Sequence, residues 1–229
     1  MICQNLQRIR FEIEEAANRC GRDPKAIQLL AVSKRMPVKD VAEANQCGQC
    51  IFGENYIQDA QEKITQLDPA LQWHFIGHLQ SNKAGVAAAL FQVIETVDRL
   101  KIARALNKHA GVLGKRLDVL VQVNIGHESQ KSGVLPEDAE ALLVAMQACA
   151  NLRIRGLMTI PPRNDDPEAG RPWFRALKQL ADQLAAAALF YDNQAVELSM
   201  GMSRDFKVAV EEGSTMIRVG TAIFGPRPG

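Results

Sequence analysis

The segment Ile27-Gln-Leu-Leu-Ala-Val-Ser-Lys34 is a short apolar run with a polar end, and the helical pattern Val38–Asn45 follows it. Apolar runs of this length, bounded by turn residues, are typical of buried strands in a parallel sheet. Eight such runs occur along the chain: Ile27–Val32, Cys50–Phe52, Trp73–Ile76, Val93–Ile94, Leu117–Val123, Ile154–Met158, Val196–Leu198 and Met216–Val219. Amphipathic stretches separate them, so strands alternate with helices. The alternation predicts an α/β fold and one domain, residues 1–229, built as a (β/α)8 barrel.

Residues 1–20 predict an additional N-terminal helix, because apolar residues recur there at helical spacing until Gly21-Arg-Asp-Pro24 interrupts the pattern. A doubly wound sheet is the alternative architecture. The turn after the first strand, Ser33–Pro37, lacks G-x-G-x-x-G, and the chain contains no G-x-x-x-x-G-K-[ST]. The common nucleotide-binding folds are therefore disfavoured.

The charge balance excludes several classes of partner. Lys and Arg number 27 against 26 Asp and Glu, which gives a formal net charge of +1. So small a charge does not favour nucleic acid or an anionic membrane surface. The apolar runs are shorter than the roughly 20 residues that span a bilayer, and the N-terminus does not have the pattern of a signal peptide. We expect a cytoplasmic enzyme or binding protein.

The cysteines and histidines do not predict a metal or redox centre. Cys47-Gly-Gln-Cys50 matches C-x-x-C, but it follows a helix instead of opening one, and a second pair is absent. We expect neither catalysis at this motif nor a disulfide framework. His74 and His78 lie in a segment that runs from a predicted strand into a loop. In a strand, i and i+4 positions are about 13 Å apart, too far to share a metal ion. We expect His74 in the core and His78 facing the barrel mouth.

The residues after the strands predict the site, because barrels carry function at the carboxyl ends of their strands. Lys34 follows the first strand, where partial desolvation favours reaction with an aldehyde; an ordinary rim lysine is the alternative. Ser199-Met-Gly-Met-Ser203 and Arg218-Val-Gly-Thr-Ala-Ile-Phe-Gly225 follow strands seven and eight, where many barrels bind phosphate; ordinary turns are the alternative. An aldehyde-binding lysine opposite a phosphate site indicates pyridoxal 5′-phosphate (PLP).

Six segments of the chain carry a resemblance to a known family: Ala31–Lys34, Phe52–Tyr56, His74–Lys83, Gly156–Thr159, Ser199–Ser203 and Arg218–Gly225. They resemble the pyridoxal phosphate homeostasis protein family (the YggS/PROSC type), which is related to the N-terminal barrel of alanine racemase. The resemblance implies a fold-type III PLP barrel with Lys34 as the Schiff-base lysine. It also implies that Arg218 faces the ring nitrogen, and that the phosphate and pocket residues are Ser199, Met200, Ser203, Gly220, Thr221, Asn55, His78 and Met158. The loop Asn124–Gly133 matches the family loosely, and we do not expect it to be required for cofactor contact.

An arginine at the ring nitrogen leaves that nitrogen unprotonated, which makes PLP a poor electron sink. Racemisation of the alanine racemase kind also needs a tyrosine from a second domain. This sequence ends four residues after Gly225, and its tyrosines are Tyr56 and Tyr191, of which we expect the second at the opposite end of the barrel. The resemblance thus implies a non-catalytic, monomeric PLP-binding protein that buffers the cofactor or delivers it to PLP-dependent apoenzymes. The alternatives are a small amino-acid racemase or lyase that uses Lys34 with Tyr56 or His78, and a phosphate-binding barrel without PLP.

Overall fold

A computed structural model describes residues 1–226 as a closed barrel of eight parallel strands. The strands are β1 (Gln28–Val32), β2 (Ile51–Glu54), β3 (Gln72–Phe75), β4 (Val93–Val97), β5 (Leu117–Gln122), β6 (Leu152–Met158), β7 (Glu197–Ser199) and β8 (Met216–Val219). Each strand pairs with the next, and β1 also pairs with β8, which closes the barrel. The predicted fold is confirmed; residues 227–229 of the predicted domain lie outside the described part.

The α-helices in residues 1–226 are α1 (Ile2–Arg19), α2 (Val38–Gln46), α3 (Ile57–Gln66), α4 (Ala84–Leu90), α5 (Leu100–Val112), α6 (Ala139–Met146), α7 (Arg171–Ala186), α8 (Phe206–Glu211) and α9 (Thr221–Phe224). The expected N-terminal helix is α1. Helix α8 begins at Phe206, after a turn in which the Asp205 carboxylate accepts the Met202 N–H at 2.6 Å. None of these helices combines the length and apolarity needed to cross a membrane.

The alternation of side chains along the strands produces two apolar regions. The main core fills the layer between barrel and helices, and Ile217 and Val219 of β8 belong to it. Leu30, Val32 and Met216 form a separate small cluster. Because successive strand residues point to opposite faces, Arg218 lies on the same face of β8 as Met216, away from the main core.

Helix α1 packs beside β1 and β8, the two strands at which the barrel closes, through the helices that follow them. It contacts α2, which follows β1, and α9, which follows β8. The Asn5 side-chain amide donates to the Ile223 carbonyl at 2.8 Å. Packing of the apolar face of α1 therefore supports both segments that carry predicted site residues.

Cys3 of α1 and Cys47 at the end of α2 form a disulfide, with a Cα–Cα distance of 5.4 Å. The sequence analysis expected no disulfide framework and did not predict this single bond, which is possible because α1 packs beside α2 and brings together two cysteines 44 residues apart. The C-x-x-C motif is not a bonded pair, because Cys50 is a free, exposed thiol.

Candidate functional site

A cavity of about 450 Å³ opens at the carboxyl ends of the strands. Its walls come from segments that are far apart in sequence and that the barrel brings together. Seven predicted site residues line it: Lys34, Asn55, Met158, Ser203, Arg218, Gly220 and Thr221. Ser199, Met200 and His78 do not.

Lys34 is half-buried, and its backbone position is fixed by the contacts of the preceding residue, Ser33. Ser33 is fully buried; its hydroxyl donates to Glu54 Oε1 at 2.7 Å, and its carbonyl accepts from Lys63 Nζ at 2.7 Å. Lys63 Nζ also lies 2.6 Å from Glu54 Oε1. Burial raises the pKa of the Glu54 carboxyl, although the Lys63 ammonium opposes that shift. This buried ion pair fixes the end of β1 from which Lys34 projects.

The neighbouring wall, formed by residues that follow β7 and β8, has the geometry of an anion site. A Cβ on Gly220 would stand 3.2 Å from the Val32 carbonyl oxygen, so the backbone passes very close to β1. The Ser203 and Thr221 hydroxyls lie 3.4 Å apart on the same wall. The first N–H groups of α9 also have no acceptor within their own helix. These hydroxyl and N–H donors fit a phosphate group.

The base of the cavity contains Arg218, which is only 4% exposed. Its Nη1 donates to Ser199 Oγ and its Nη2 to the Thr159 carbonyl, each at 2.7 Å. Ser199 Oγ donates in turn to Glu95 Oε2 at 2.6 Å. The hydroxyl of Ser199 therefore supports Arg218. The sequence analysis expected this hydroxyl to donate to a phosphate, but its one proton is already donated to Glu95. Met200, also expected at the cofactor, is fully buried in the main core.

His78 is exposed, and its Nδ1 lies 3.1 Å from Ser132 Oγ. It lines a separate depression of about 190 Å³, together with Asn55, Tyr56 and Lys83. Tyr191 precedes β7 and stacks on Arg153 and Arg155, at the amino end of the strands as predicted. His74 is buried as predicted, with Nδ1 2.7 Å from Glu95 Oε1.

Several cavity residues were not predicted. Lys131 lies in the loop after β5, bonds the Pro161 carbonyl at 2.8 Å and pairs with Glu128, so this loop contributes to the cavity wall, and whether it contacts a cofactor stays a prediction. Asp205 also lines the cavity, and burial raises the pKa of its carboxyl. Both follow carboxyl ends of strands, so the barrel rule alone could have identified them.

A larger depression, of about 630 Å³, lies beside the amino ends of β1 and β2 and includes Lys25 and Cys50. It lies at the amino ends of the strands, whereas barrels place their chemistry at the carboxyl ends. We therefore assign the site to the carboxyl-end cavity.

The family model described as alanine racemase, N-terminal domain, matches residues 4–228. The pyridoxal phosphate homeostasis protein of Vibrio cholerae is 45% identical over 231 residues, which cover 99% of this chain and 96% of that protein. The protein of the same name from Escherichia coli K12 is 44% identical over 230 residues, with 99% and 97% covered. The chain belongs to the pyridoxal phosphate homeostasis protein family.

A solved structure related to this family has PLP bound. It is PipY of Synechococcus elongatus PCC7942, which superposes with a TM-score of 0.84 at 36% identity and covers 98% of this chain and 100% of its own. The same protein solved without PLP gives a TM-score of 0.87 at 37% identity, with the same coverage. The barrel of this chain is thus also the fold of PipY.

Proposed function

We propose that this protein binds PLP without catalysing a reaction on it, and that it buffers the cofactor or delivers it to PLP-dependent apoenzymes. One observation carries the proposal: a lysine, a set of hydroxyl and N–H donors and a buried arginine line a single cavity of about 450 Å³. The names and the PLP-bound neighbour described above support the choice of ligand.

Each wall of the cavity has one part in binding. The Lys34 amine would bond the aldehyde carbon of the cofactor, and the aldehyde oxygen would leave as water. Ser203, Gly220 and Thr221 would hold the phosphate, and Arg218 would donate a hydrogen bond to the ring nitrogen. Asn55 and Met158 complete the wall. The Asn55 Oδ1 atom is buried and has no hydrogen-bond partner within residues 1–226, so it is available to a donor on the ligand.

Bound PLP would supply an electron sink for carbanions at the α-carbon of amino acids. The residues of this chain do not favour that chemistry. Arg218 keeps its own protons, so it cannot protonate the ring nitrogen and can only donate a hydrogen bond to it. Tyr56 and His78, the bases that a racemase or lyase would use, line the neighbouring depression instead of the cavity.

A PLP titration with a matched pair of lysine variants tests binding. Lys34→Ala removes the covalent bond, whereas Lys39→Ala removes an exposed lysine on α2. We expect the visible absorbance of bound PLP to disappear in the first variant and to persist in the second. Equal loss in both, or none in either, would contradict the assignment of Lys34.

Deuterium exchange at the α-carbon of free amino acids tests the absence of catalysis. We expect the PLP-loaded protein to exchange no faster than PLP in solution. Exchange at enzyme-like rates would support the racemase or lyase alternative. A cytoplasmic location, a monomeric state and transfer to apoenzymes are further parts of this proposal.

A further inference from the structure

Glu95 is a fully buried carboxylate on β4 that the proposed function does not use. Its two oxygens have different partners. Oε1 lies 2.7 Å from His74 Nδ1 on β3, and Oε2 accepts the Ser199 hydroxyl proton from β7 at 2.6 Å. The carboxylate thus bridges strands on opposite sides of the barrel interior.

The charge state of Glu95 fixes the direction of the next hydrogen bond. Burial opposes ionisation of Glu95. This effect is outweighed by the hydrogen bond and charge of His74, by the charge of Arg218 and by the hydrogen bond from Ser199. The pKa of the Glu95 carboxyl is therefore held below its ordinary value. An ionised carboxylate only accepts, so Ser199 must donate its single proton to Glu95. The lone pairs of Ser199 Oγ are then left for Arg218 Nη1, which lies at 2.7 Å.

Arg218 is consequently held at two points, of which Ser199 Oγ is the first. The second point is the Thr159 carbonyl, 2.7 Å from Nη2. A guanidinium group is planar and carries five N–H groups in a fixed arrangement, so two fixed bonds determine where the other three point. Arg218 is part of the cavity wall, where these remaining N–H groups are available to a ligand.

We propose that Glu95 is a positioning residue, which acts through Ser199 to orient the guanidinium of Arg218 for donation to the ring nitrogen of a phosphorylated pyridine aldehyde. This inference rests on the proposed function and adds to it. Glu95 does not line the cavity and touches no ligand. Its effect is transmitted by one hydroxyl group.

Glu197 provides a matched control. It lies two residues before Ser199 on β7, so its side chain is on the same face of the strand. Its carboxylate accepts from Arg155 Nε at 3.0 Å and has no hydrogen bond to Arg218 or Ser199 among the described residues. A substitution there removes an interior carboxylate without breaking the connection from Glu95 to Arg218.

The experiment compares the dissociation constants of two ligands that differ at one atom: PLP, and 1-deaza-PLP, in which a C–H group replaces the ring nitrogen. The proteins are the parent, Glu95→Gln, Ser199→Ala and Glu197→Gln. A hydrogen bond from a charged donor contributes about tenfold or more in affinity, so we expect the parent to prefer PLP by about that factor. In Glu95→Gln and Ser199→Ala the preference should fall to about threefold or less, and in Glu197→Gln it should persist.

The ratio of the two dissociation constants separates a positioning role from a structural role, because misfolding or a general change in charge weakens the binding of both ligands alike. If Glu95→Gln weakens both ligands equally and keeps the preference, Glu95 does not position Arg218. If the parent binds both ligands equally well, the inference fails while PLP binding stands. If the parent binds neither, the proposed function fails. Unfolding of each protein without ligand identifies a variant that does not fold, and Ser199→Ala then tests the same connection.

Discussion

Replacement of Lys63 by methionine should destabilise the protein by about 3 kcal/mol at neutral pH. Lys63 and Glu54 are 4% and 0% exposed, and the bond between them is 2.6 Å long. Removal of one partner from a buried pair leaves an uncompensated charge, which costs about 3–5 kcal/mol, and the apolar methionine side chain recovers part of this. The lost stability comes mainly from Glu54, because its Oε2 already has no hydrogen-bond partner in the described part of the chain.

The destabilisation should depend on pH in a defined direction. Burial raises the pKa of Glu54 in the folded protein above its unfolded value, and Lys63 is the main opposing influence. A carboxyl group with a raised folded pKa favours the folded state at low pH and disfavours it as the pH rises through that pKa. In Lys63→Met the folded pKa rises further, so the stability difference from the parent should be largest at neutral pH and should shrink as Glu54 becomes protonated.

Urea unfolding at several pH values measures this effect. With an m value of about 2 kcal/mol/M, we expect the midpoint of Lys63→Met to fall by about 1.5 M at neutral pH. The double variant Glu54→Gln with Lys63→Met should be more stable than Lys63→Met alone. Lys178→Met, which removes a half-exposed ion pair with Asp182, should change stability by about 1 kcal/mol or less. A deficit that is the same at every pH would refute the charge argument.

Three further outcomes are expected, two from the fold and one from the proposed monomeric state. Cys3→Ser should lower the free energy of unfolding by about 2–4 kcal/mol under oxidising conditions and by much less in reductant, as judged by denaturation, with Cys50→Ser as the silent control. Gly201→Ala should cost about 2–4 kcal/mol, because Gly201 has φ +91° and a new Cβ would lie 2.5 Å from the Ala209 Cβ. Adding Ala209→Gly should restore only the steric part of that loss; full recovery, or none, would contradict the explanation. Sedimentation at micromolar concentration should give a mass near 25.2 kDa, and a value twice as large would contradict the monomer.

The strands were predictable because each is a local apolar run, and eight repeats of one pattern admit few architectures. Lys34 and Gly220 were predictable for the same reason, since the barrel places residues that follow its strands at one end. The disulfide between Cys3 and Cys47 was not predictable, because it depends on how α1 packs against α2.

The buried polar interior was also beyond the sequence analysis. Ser199 follows Leu198 at the end of a strand, a position equally suited to holding a phosphate or supporting Arg218. Glu95, more than 100 residues away along the chain, decides between these two roles, because its carboxylate accepts the hydrogen bond of the Ser199 hydroxyl. No local spacing indicates that pairing, because both residues meet only after the barrel has closed.

The site of covalent attachment tests the account most directly. The PLP-loaded protein is treated with borohydride, which fixes a cofactor bonded to lysine, and the digested peptides are mapped by mass. We predict a pyridoxyl mass on Lys34, in a protein whose visible absorbance disappears on reduction. A pyridoxyl group on Lys39, Lys83 or Lys131 instead, or no labelled peptide from protein that has bound PLP, would contradict the assignment.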